Sequence, residues 1–185
     1  MQFNRHTNLE GLHAPFSASQ SSWLRYDDNK VREVYANKRA AEMGTILHRW
    51  AKDTIDLRIK QPRSQKTLYA YVNDAIGFKM QTEVVLYYSP RFFGTADAIS
   101  FRNGVLRIHD LKTGVTPVKK EQLYVYAALF CLEYKVRPGD ISFELRIYQN
   151  DAVQEFFPTA EEIAPIIDRI VHLDKLLEKF ENEEV

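Results

Sequence analysis

Two short runs of the sequence contain residue types that could hold a metal ion. Asp97 ends the run Gly-Thr-Ala-Asp, and Asp110 and Lys112 lie in the run His-Asp-Leu-Lys-Thr-Gly. Two carboxylates held close together repel each other unless a cation lies between them, and a divalent metal with a nearby lysine would supply that positive charge. The sequence therefore suggests a metal site, provided that the fold brings the two runs together.

The dipeptide Asn103-Gly104 lies between the two runs and predicts how they meet. Asn-Gly between alternating apolar stretches is a strong hairpin signal, because a type I′ turn needs a positive φ at both central residues. A two-residue turn pairs Arg102 with Val105, which places Asp97 opposite Asp110. Directly opposed side chains share one face of a sheet, about 4.5–5.5 Å apart at Cβ.

Strict alternation along the strands predicts which side chains share a face. In a strand at residues 79–88, one side carries Gln81, Glu83, Val85 and Tyr87, and the other carries Thr82, Val84, Leu86 and Tyr88. In the hairpin, one face carries Thr95, Asp97, Asp110 and Lys112 at a polar end, and Ile99, Phe101, Leu106 and Ile108 at an apolar end. Such a face suits a buried sheet whose rim forms a cleft.

The periodicity of the remaining sequence predicts an α/β fold. It predicts helices at about residues 30–59, 64–76, 118–134 and 159–180, and strands at about 79–88, 92–102, 105–112, 141–149 and 152–157. Since no linker or repeat divides the chain, we expect one domain over residues 1–185. It would have a helical part at about 16–77 and an acidic helix at about 159–183.

Two helical pairs add candidate ligands. Gly44 and His48, and also Gln122 and Tyr126, are four residues apart, so each pair lies on one face of a predicted helix. Taken singly, these residues have ordinary interpretations: His48 as a core histidine and Tyr126 as core packing. Glu83 has an ordinary interpretation too, as an acid on the surface of a strand. Asp110 and Lys112 alone could form a surface salt bridge, which is a common arrangement.

The order and content of these pieces resemble the PD-(D/E)XK nuclease superfamily. The resemblance is closest to its RecB-like branch, which includes phage-borne relatives and the CRISPR-adaptation nucleases. The motifs of that branch match Ser17 and Ser19, Gly44 and His48, Glu83, Gly94 and Asp97, the run 110–114, and Gln122 and Tyr126. The resemblance extends from about residue 14 to residue 150. It implies a restriction-endonuclease-like core, with a central mixed sheet flanked by helices in the order α-α-β-β-β-α-β-β-α.

The resemblance also implies a set of metal ligands. Asp97 and Asp110 would bridge one or two Mg²⁺ or Mn²⁺ ions, with the backbone carbonyl of Leu111 as a further ligand. His48 would be an imidazole ligand, which suits Mn²⁺ better than Mg²⁺. Glu83 would hold a metal-bound water.

Other residues would act on the substrate. Lys112 would orient or deprotonate the attacking water, or stabilise the charge of the transition state. Gln122 and Tyr126 would position the substrate phosphate or the lysine. Contacts with nucleic acid are expected from Thr113, Lys119, Lys120, Gln122 and Tyr126.

The sequence also limits the cofactors. Many members of that branch hold an iron–sulfur cluster on four cysteines, whereas Cys131 is the only cysteine here, so no iron–sulfur cluster is expected. No Gly-x-x-x-x-Gly-Lys-[Ser/Thr] loop is present, so no ATP site is expected. A helicase or recombination protein would then be the partner that supplies any unwinding.

Composition favours a folded protein of the cytoplasm of a bacterial or phage-infected cell. The chain of 185 residues is 45% hydrophobic, and it contains no apolar run of membrane-spanning length and no signal-peptide pattern. Residues 151–185 hold ten acidic and three basic residues, a charge of −7. Since the whole chain is neutral, +7 remains for residues 1–150. This asymmetry fits a phosphate-binding body with an acidic terminal helix, or an ordinary solvated helix face.

These observations predict a metal-dependent DNA nuclease. The resemblance favours an exonuclease of phage or bacterial replication, recombination or repair, acting on single-stranded DNA or a duplex end and leaving 5′-phosphates. The alternatives are a structure-specific endonuclease, a nuclease-fold subunit that binds DNA or protein without cutting, and a hydrolase of another phosphoester.

Overall fold

The computed structural model describes residues 7–9, 14–116 and 118–183. The chain divides between Thr45 and Ile46 into two compact units. In the first unit, a 3₁₀ helix covers Ala18–Arg25, and helix α1 begins at Asp28. Asp27 caps α1, because its Oδ1 accepts a hydrogen bond from the backbone N–H of Lys30 at 2.8 Å.

The second unit begins within α1, which ends at Asp56. The elements that follow are α2 (Thr67–Gly77), β1 (Gln81–Ser89), β2 (Phe92–Arg102), β3 (Val105–Leu111), α3 (Glu121–Tyr134), β4 (Ser142–Gln149), β5 (Ala152–Phe156) and α4 (Ala160–Glu183). Their order is the predicted one. The largest differences lie at helix ends: α1 ends three residues before the expected boundary, and α3 begins three residues after it.

The five strands form one mixed sheet in the order β1-β2-β3-β4-β5. Neighbouring strands are antiparallel except β3 and β4, which are parallel. Parallel strands need a crossover connection, and α3 lies in that connection. The α/β class with a mixed sheet flanked by helices is therefore confirmed.

The hairpin of β2 and β3 has the predicted register. Asn103 and Gly104 have φ values of 51° and 73°, as a type I′ turn requires. The Cα partners run from Arg102 with Val105 to Ala98 with His109, where the regular pairing stops. The ladder therefore ends one residue before Asp97.

Apolar residues are buried on both faces of the sheet. On one face, α3 and α4 cover a cluster that includes Leu86, Ala96, Ile108 and Leu145. On the other face, α2 and the last turns of α1 cover a smaller cluster, which includes Ala98, Leu111 and Tyr148. The ends of β2 and β3 lie between these two layers.

Helix α4 begins with the capping pattern that its sequence predicts. The backbone N–H of Thr159 donates to Oε2 of Glu162 at 2.9 Å, and Pro165 lies inside the helix. Neither α4 nor any other helix in the described part of the chain is long and apolar enough to cross a membrane.

Candidate metal centre

Three side chains from three elements converge beside the open end of the hairpin. His48 comes from α1, Glu83 from β1 and Asp97 from β2, and each offers one ligand atom within 4.8 Å of the other two. The Nδ1 atom of His48 lies 3.6 Å from Oδ2 of Asp97. One imidazole and two carboxylates form a donor set that suits Mn²⁺ and related divalent ions. The sequence predicted His48 and Asp97 as ligands and Glu83 as the holder of a metal-bound water, and the fold brings these three residues together.

Asp97 takes the place of a backbone partner at the end of the ladder. Its Oδ2 accepts a hydrogen bond from the backbone N–H of Leu111 at 2.9 Å. This bond holds the carboxylate between the ends of β2 and β3. The side chain of Asp97 is therefore fixed by the backbone of the strand that carries Asp110.

The alternation of side chains breaks at this point, contrary to the sequence prediction. Thr82 pairs with Ala98 and Val84 pairs with Ala96, so these four residues should share a face. Instead Thr82 donates to Asp56 at the end of α1, and Ala98 packs in the α1–α2 cluster. Val84 and Ala96 pack against the α3 side. The prediction that Thr82 shares a face with Val84, and Thr95 with Ile99, is wrong.

On β1, the break coincides with an unusual backbone conformation of Glu83. Its φ is +51°, a left-handed conformation that residues other than glycine rarely adopt within a strand. Glu83 and Asp97 both fall between the paired positions, so each strand carries one irregular residue and the register does not shift. Unfavourable backbone conformations of this kind concentrate at functional sites, where the surrounding structure holds them in place.

Asp110 and Lys112 form a separate pair next to this cluster. The Nζ atom of Lys112 lies 3.0 Å from Oδ1 and 2.9 Å from Oδ2 of Asp110. Asp110 is 3% exposed, whereas a quarter of the Lys112 side chain is accessible. Asp110 is not part of the three-residue group, so bridging by Asp97 and Asp110 stays a prediction.

The two aspartates are charged groups in surroundings that disfavour charge. Burial, followed by the negative charge of Asp110, raises the pKa of Asp97 to about 6, against the opposing effects of the Leu111 N–H, His48 and Lys112. Burial also raises the pKa of Asp110, which the positive charge of Lys112 opposes. A divalent cation would favour the ionised form of both carboxyls, so these residues fit a metal ion.

Gly94 and Tyr126 are in contact across the sheet and α3. A Cβ atom on Gly94 would lie 2.8 Å from Cε1 of Tyr126, which is closer than real Cβ contacts allow. The glycine therefore makes room for the ring. The phenol oxygen of Tyr126 accepts a hydrogen bond from Nε2 of Gln122 at 3.2 Å, and the charges of Asp110 and Asp97 contribute to a raised pKa of Tyr126, after burial. The predicted helical pair thus faces the acidic site.

The loop that joins Lys112 to α3 is held by the end of β4. Gln149 is 4% exposed, and its Nε2 donates to the carbonyl oxygens of Gly114 at 2.5 Å and Thr116 at 2.8 Å. The backbone N–H of Lys112 donates to the carbonyl of Tyr148 at 2.9 Å. The two contacts of Gln149 could not be predicted, because a glutamine near a strand end carries no signal of its partners.

A second polar network, which was not predicted from the sequence, lies on the other side of β3. His109 is fully buried, and its Nδ1 lies 3.2 Å from the hydroxyl of Tyr148, which donates to Asp74 at 2.6 Å. Burial lowers the pKa of His109 to about 3, with further lowering by Arg146 and Arg107. This network anchors α2 on the sheet behind Asp110.

The remaining predicted residues lie apart from the cluster or have no contact that tests their role. Thr113, Lys119 and Lys120 are exposed in the loop before α3, where Nζ of Lys120 lies 5.0 Å from the ring centroid of Tyr124. In the first unit, the hydroxyls of Ser17 and Ser19 lie 3.2 Å apart. Nothing tests the carbonyl of Leu111 as a ligand.

Comparison of the chain with protein-family models, with curated proteins and with solved structures finds no match. The resemblance to the nuclease superfamily therefore rests on the sequence motifs.

Proposed function

We propose that this protein is a metal-dependent nuclease that hydrolyses phosphodiester bonds in DNA. One observation carries the proposal: a His48–Glu83–Asp97 group lies beside a buried aspartate whose partner is a lysine. An ordinary Asp–Lys salt bridge on a protein surface is exposed and has no histidine beside it, so it does not explain this arrangement. Asp97 and Asp110 both have raised pKa values and lie at the end of a hairpin, as expected for a site that binds a cation.

His48, Glu83 and Asp97 would hold the metal, which we propose to be Mn²⁺ or Mg²⁺. A bound divalent ion would neutralise the phosphoryl oxygens and increase the acidity of a water molecule. Asp97 would stay in place during the reaction because the Leu111 N–H already fixes one of its oxygens. Asp110 would hold the ammonium group of Lys112 and add negative charge to the site.

Lys112 would act directly on the substrate. Its ammonium group is paired with a buried carboxylate on one side and is partly accessible on the other. It can therefore donate to a phosphoryl oxygen or orient the attacking water. Tyr126 accepts its hydrogen bond from Gln122, which leaves the phenol proton free to be donated to a phosphate oxygen.

A cleavage assay tests the proposal. Labelled single-stranded, blunt, tailed and circular DNA would be incubated with the protein in Mg²⁺, Mn²⁺ or EDTA. We expect cleavage that needs a metal ion and is lost in Asp97→Asn, Asp110→Asn and Lys112→Met, which keep side-chain size but change charge. Circular substrates separate endonuclease from exonuclease activity.

Asp168→Asn is the matched control, because Asp168 is exposed on α4. It should cut DNA at the wild-type rate. Undiminished cleavage by the Asp110→Asn and Lys112→Met variants would contradict the site assignment. If the wild type cuts none of these substrates in either metal, the proposed activity is wrong.

A further inference from the structure

An exposed aromatic pair lies on the same strands as the candidate metal ligands. Tyr87 on β1 and Phe93 on β2 are cross-strand partners, and they are 46% and 61% exposed. The next pair on the same face is Val85 with Thr95, and Val85 is 52% exposed. Together these side chains form one exposed apolar patch that is free for a ligand to cover.

This aromatic face leads directly to the acidic cluster. Glu83 and Asp97 lie between the paired positions Val84–Ala96 and Thr82–Ala98, and each is four residues from its member of the aromatic pair. At about 3.3 Å per residue, the Cα atoms of the aromatic pair lie about 13 Å along the strands from those of the two acids. The face is the one opposite α3, because Val84 and Leu86, which alternate with Val85 and Tyr87, pack on the α3 side.

A cationic pocket lies on the other side of Glu83. Its volume is about 410 Å³, and its lining includes Lys52, Arg58, Lys79 and Thr82. Lys52 is paired with Asp56, so the positive charge available to a ligand comes from Arg58 and Lys79. With three cations and one acid, the pocket suits a phosphate group.

The left-handed residue Glu83 brings these two features to one face. In a regular strand, Thr82 and Val85 would point to opposite sides, because they are an odd number of residues apart. The break at Glu83 reverses the alternation, so Thr82 at the pocket and Val85 on the aromatic face both lie on the side opposite α3. The acidic cluster lies between them.

We infer that the aromatic face and the cationic pocket are the two ends of a binding track for single-stranded DNA. Bases would stack on Tyr87 and Phe93, and the backbone would cross the acidic cluster to place a phosphate in the pocket of Arg58 and Lys79. Unpaired bases have both ring faces free for stacking, whereas a duplex buries those faces inside its own stack. This inference rests on the proposed nuclease activity only in assuming that the DNA backbone is cleaved at the acidic cluster.

Binding measured without cleavage tests the aromatic end. Fluorescence anisotropy of a short labelled oligothymidylate in EDTA would compare the wild type with Tyr87→Ala and Phe93→Ala. Each variant should weaken binding by about fivefold to a hundredfold, the range of one lost stacked base. Phe157→Ala is the matched control, because Phe157 is 64% exposed outside the track, and it should bind as tightly as the wild type.

The salt dependence of binding tests the cationic end. Arg58 and Lys79 have positive φ values, so Arg58→Asn and Lys79→Asn remove the charge with a residue that tolerates this backbone. Each should reduce the slope of log affinity against log salt by about 0.7, the value for one phosphate contact with a single strand. Lys175→Gln, at an exposed position of α4, should leave the slope unchanged.

The outcomes separate this inference from the proposed activity. Wild-type affinity in both aromatic variants would overturn the track even if the protein cuts DNA. Failure of the wild type to bind the oligonucleotide would also overturn it, and would leave the face to a protein partner. Equal affinity for blunt duplex would overturn it as well, because a duplex does not offer free base faces for stacking. Binding that follows the expected pattern in a protein that cuts nothing would support the track and refute the nuclease proposal.

Discussion

Replacing Asp97 by asparagine should stabilise the metal-free protein at neutral pH. The side chain of Asp97 is only 18% exposed and lies near the charge of Asp110. Burial and this negative charge together raise its pKa to about 6. Asparagine is uncharged and of the same size, and its side-chain oxygen can still accept the hydrogen bond of the Leu111 N–H. The substitution therefore removes a destabilising charge and keeps the local structure.

The size of the effect follows from the change in pKa on folding. An increase from the ordinary value of 3.8 to about 6 corresponds to about 3 kcal/mol. An acid whose pKa is higher in the folded state binds its proton more tightly there. This contribution to stability is complete below pH 3.8 and is lost as the pH rises through 6. About 2 kcal/mol of the loss should occur between pH 4.5 and pH 7.5.

Urea unfolding in EDTA at these two pH values measures the prediction. The free energy of unfolding of Asp97→Asn, minus that of the wild type, should be about 2 kcal/mol larger at the higher pH. Mn²⁺ at neutral pH should then stabilise the wild type, by about 2.7 kcal/mol at a hundred times its dissociation constant, but not the variant. Asp168→Asn is again the control. A difference that does not change with pH would refute the assignment of the raised pKa to Asp97.

Two further predictions concern the packing around the site. Gly94→Ala should lower the free energy of unfolding by about 1–3 kcal/mol because its Cβ displaces the ring of Tyr126, whereas Gly139→Ala, which meets no atom within 4 Å, should cost much less. Equal costs in urea unfolding would contradict the contact. Gln149→Met should leave the sheet folded and speed hydrogen exchange in the loop after β3, because it removes two donors at a cost of about 1–2 kcal/mol. Unchanged exchange there would show that the glutamine does not hold the loop.

The parts that sequence predicted well depend on neighbours along the chain. The register of β2 and β3 follows from Asn103 and Gly104, because two residues with positive φ are sufficient to set a type I′ turn. The capping of α4 by Thr159 and Glu162 is local in the same way. Motif spacing also identified the residues that form the cluster.

Strand alternation is where sequence reasoning was wrong. The prediction extended the period of two through Glu83 and Asp97, whereas the alternation of β1 reverses at Glu83, whose φ is left-handed, and β2 has a matching irregularity at Asp97. No local signal marks this position, because a glutamate in a strand usually has an ordinary extended backbone. The surrounding tertiary contacts have to stabilise that conformation.

The sequence by itself determined the order of elements, the hairpin register and the chemical identity of the candidate ligands. Only the tertiary structure decided that His48 meets Asp97 across 49 residues of chain, and that Gln149 holds the loop between Lys112 and α3. The physical reason is the range of the interactions. A turn or a helix cap is determined by the conformational preferences of a few adjacent residues, whereas these contacts depend on how the helices pack on the sheet.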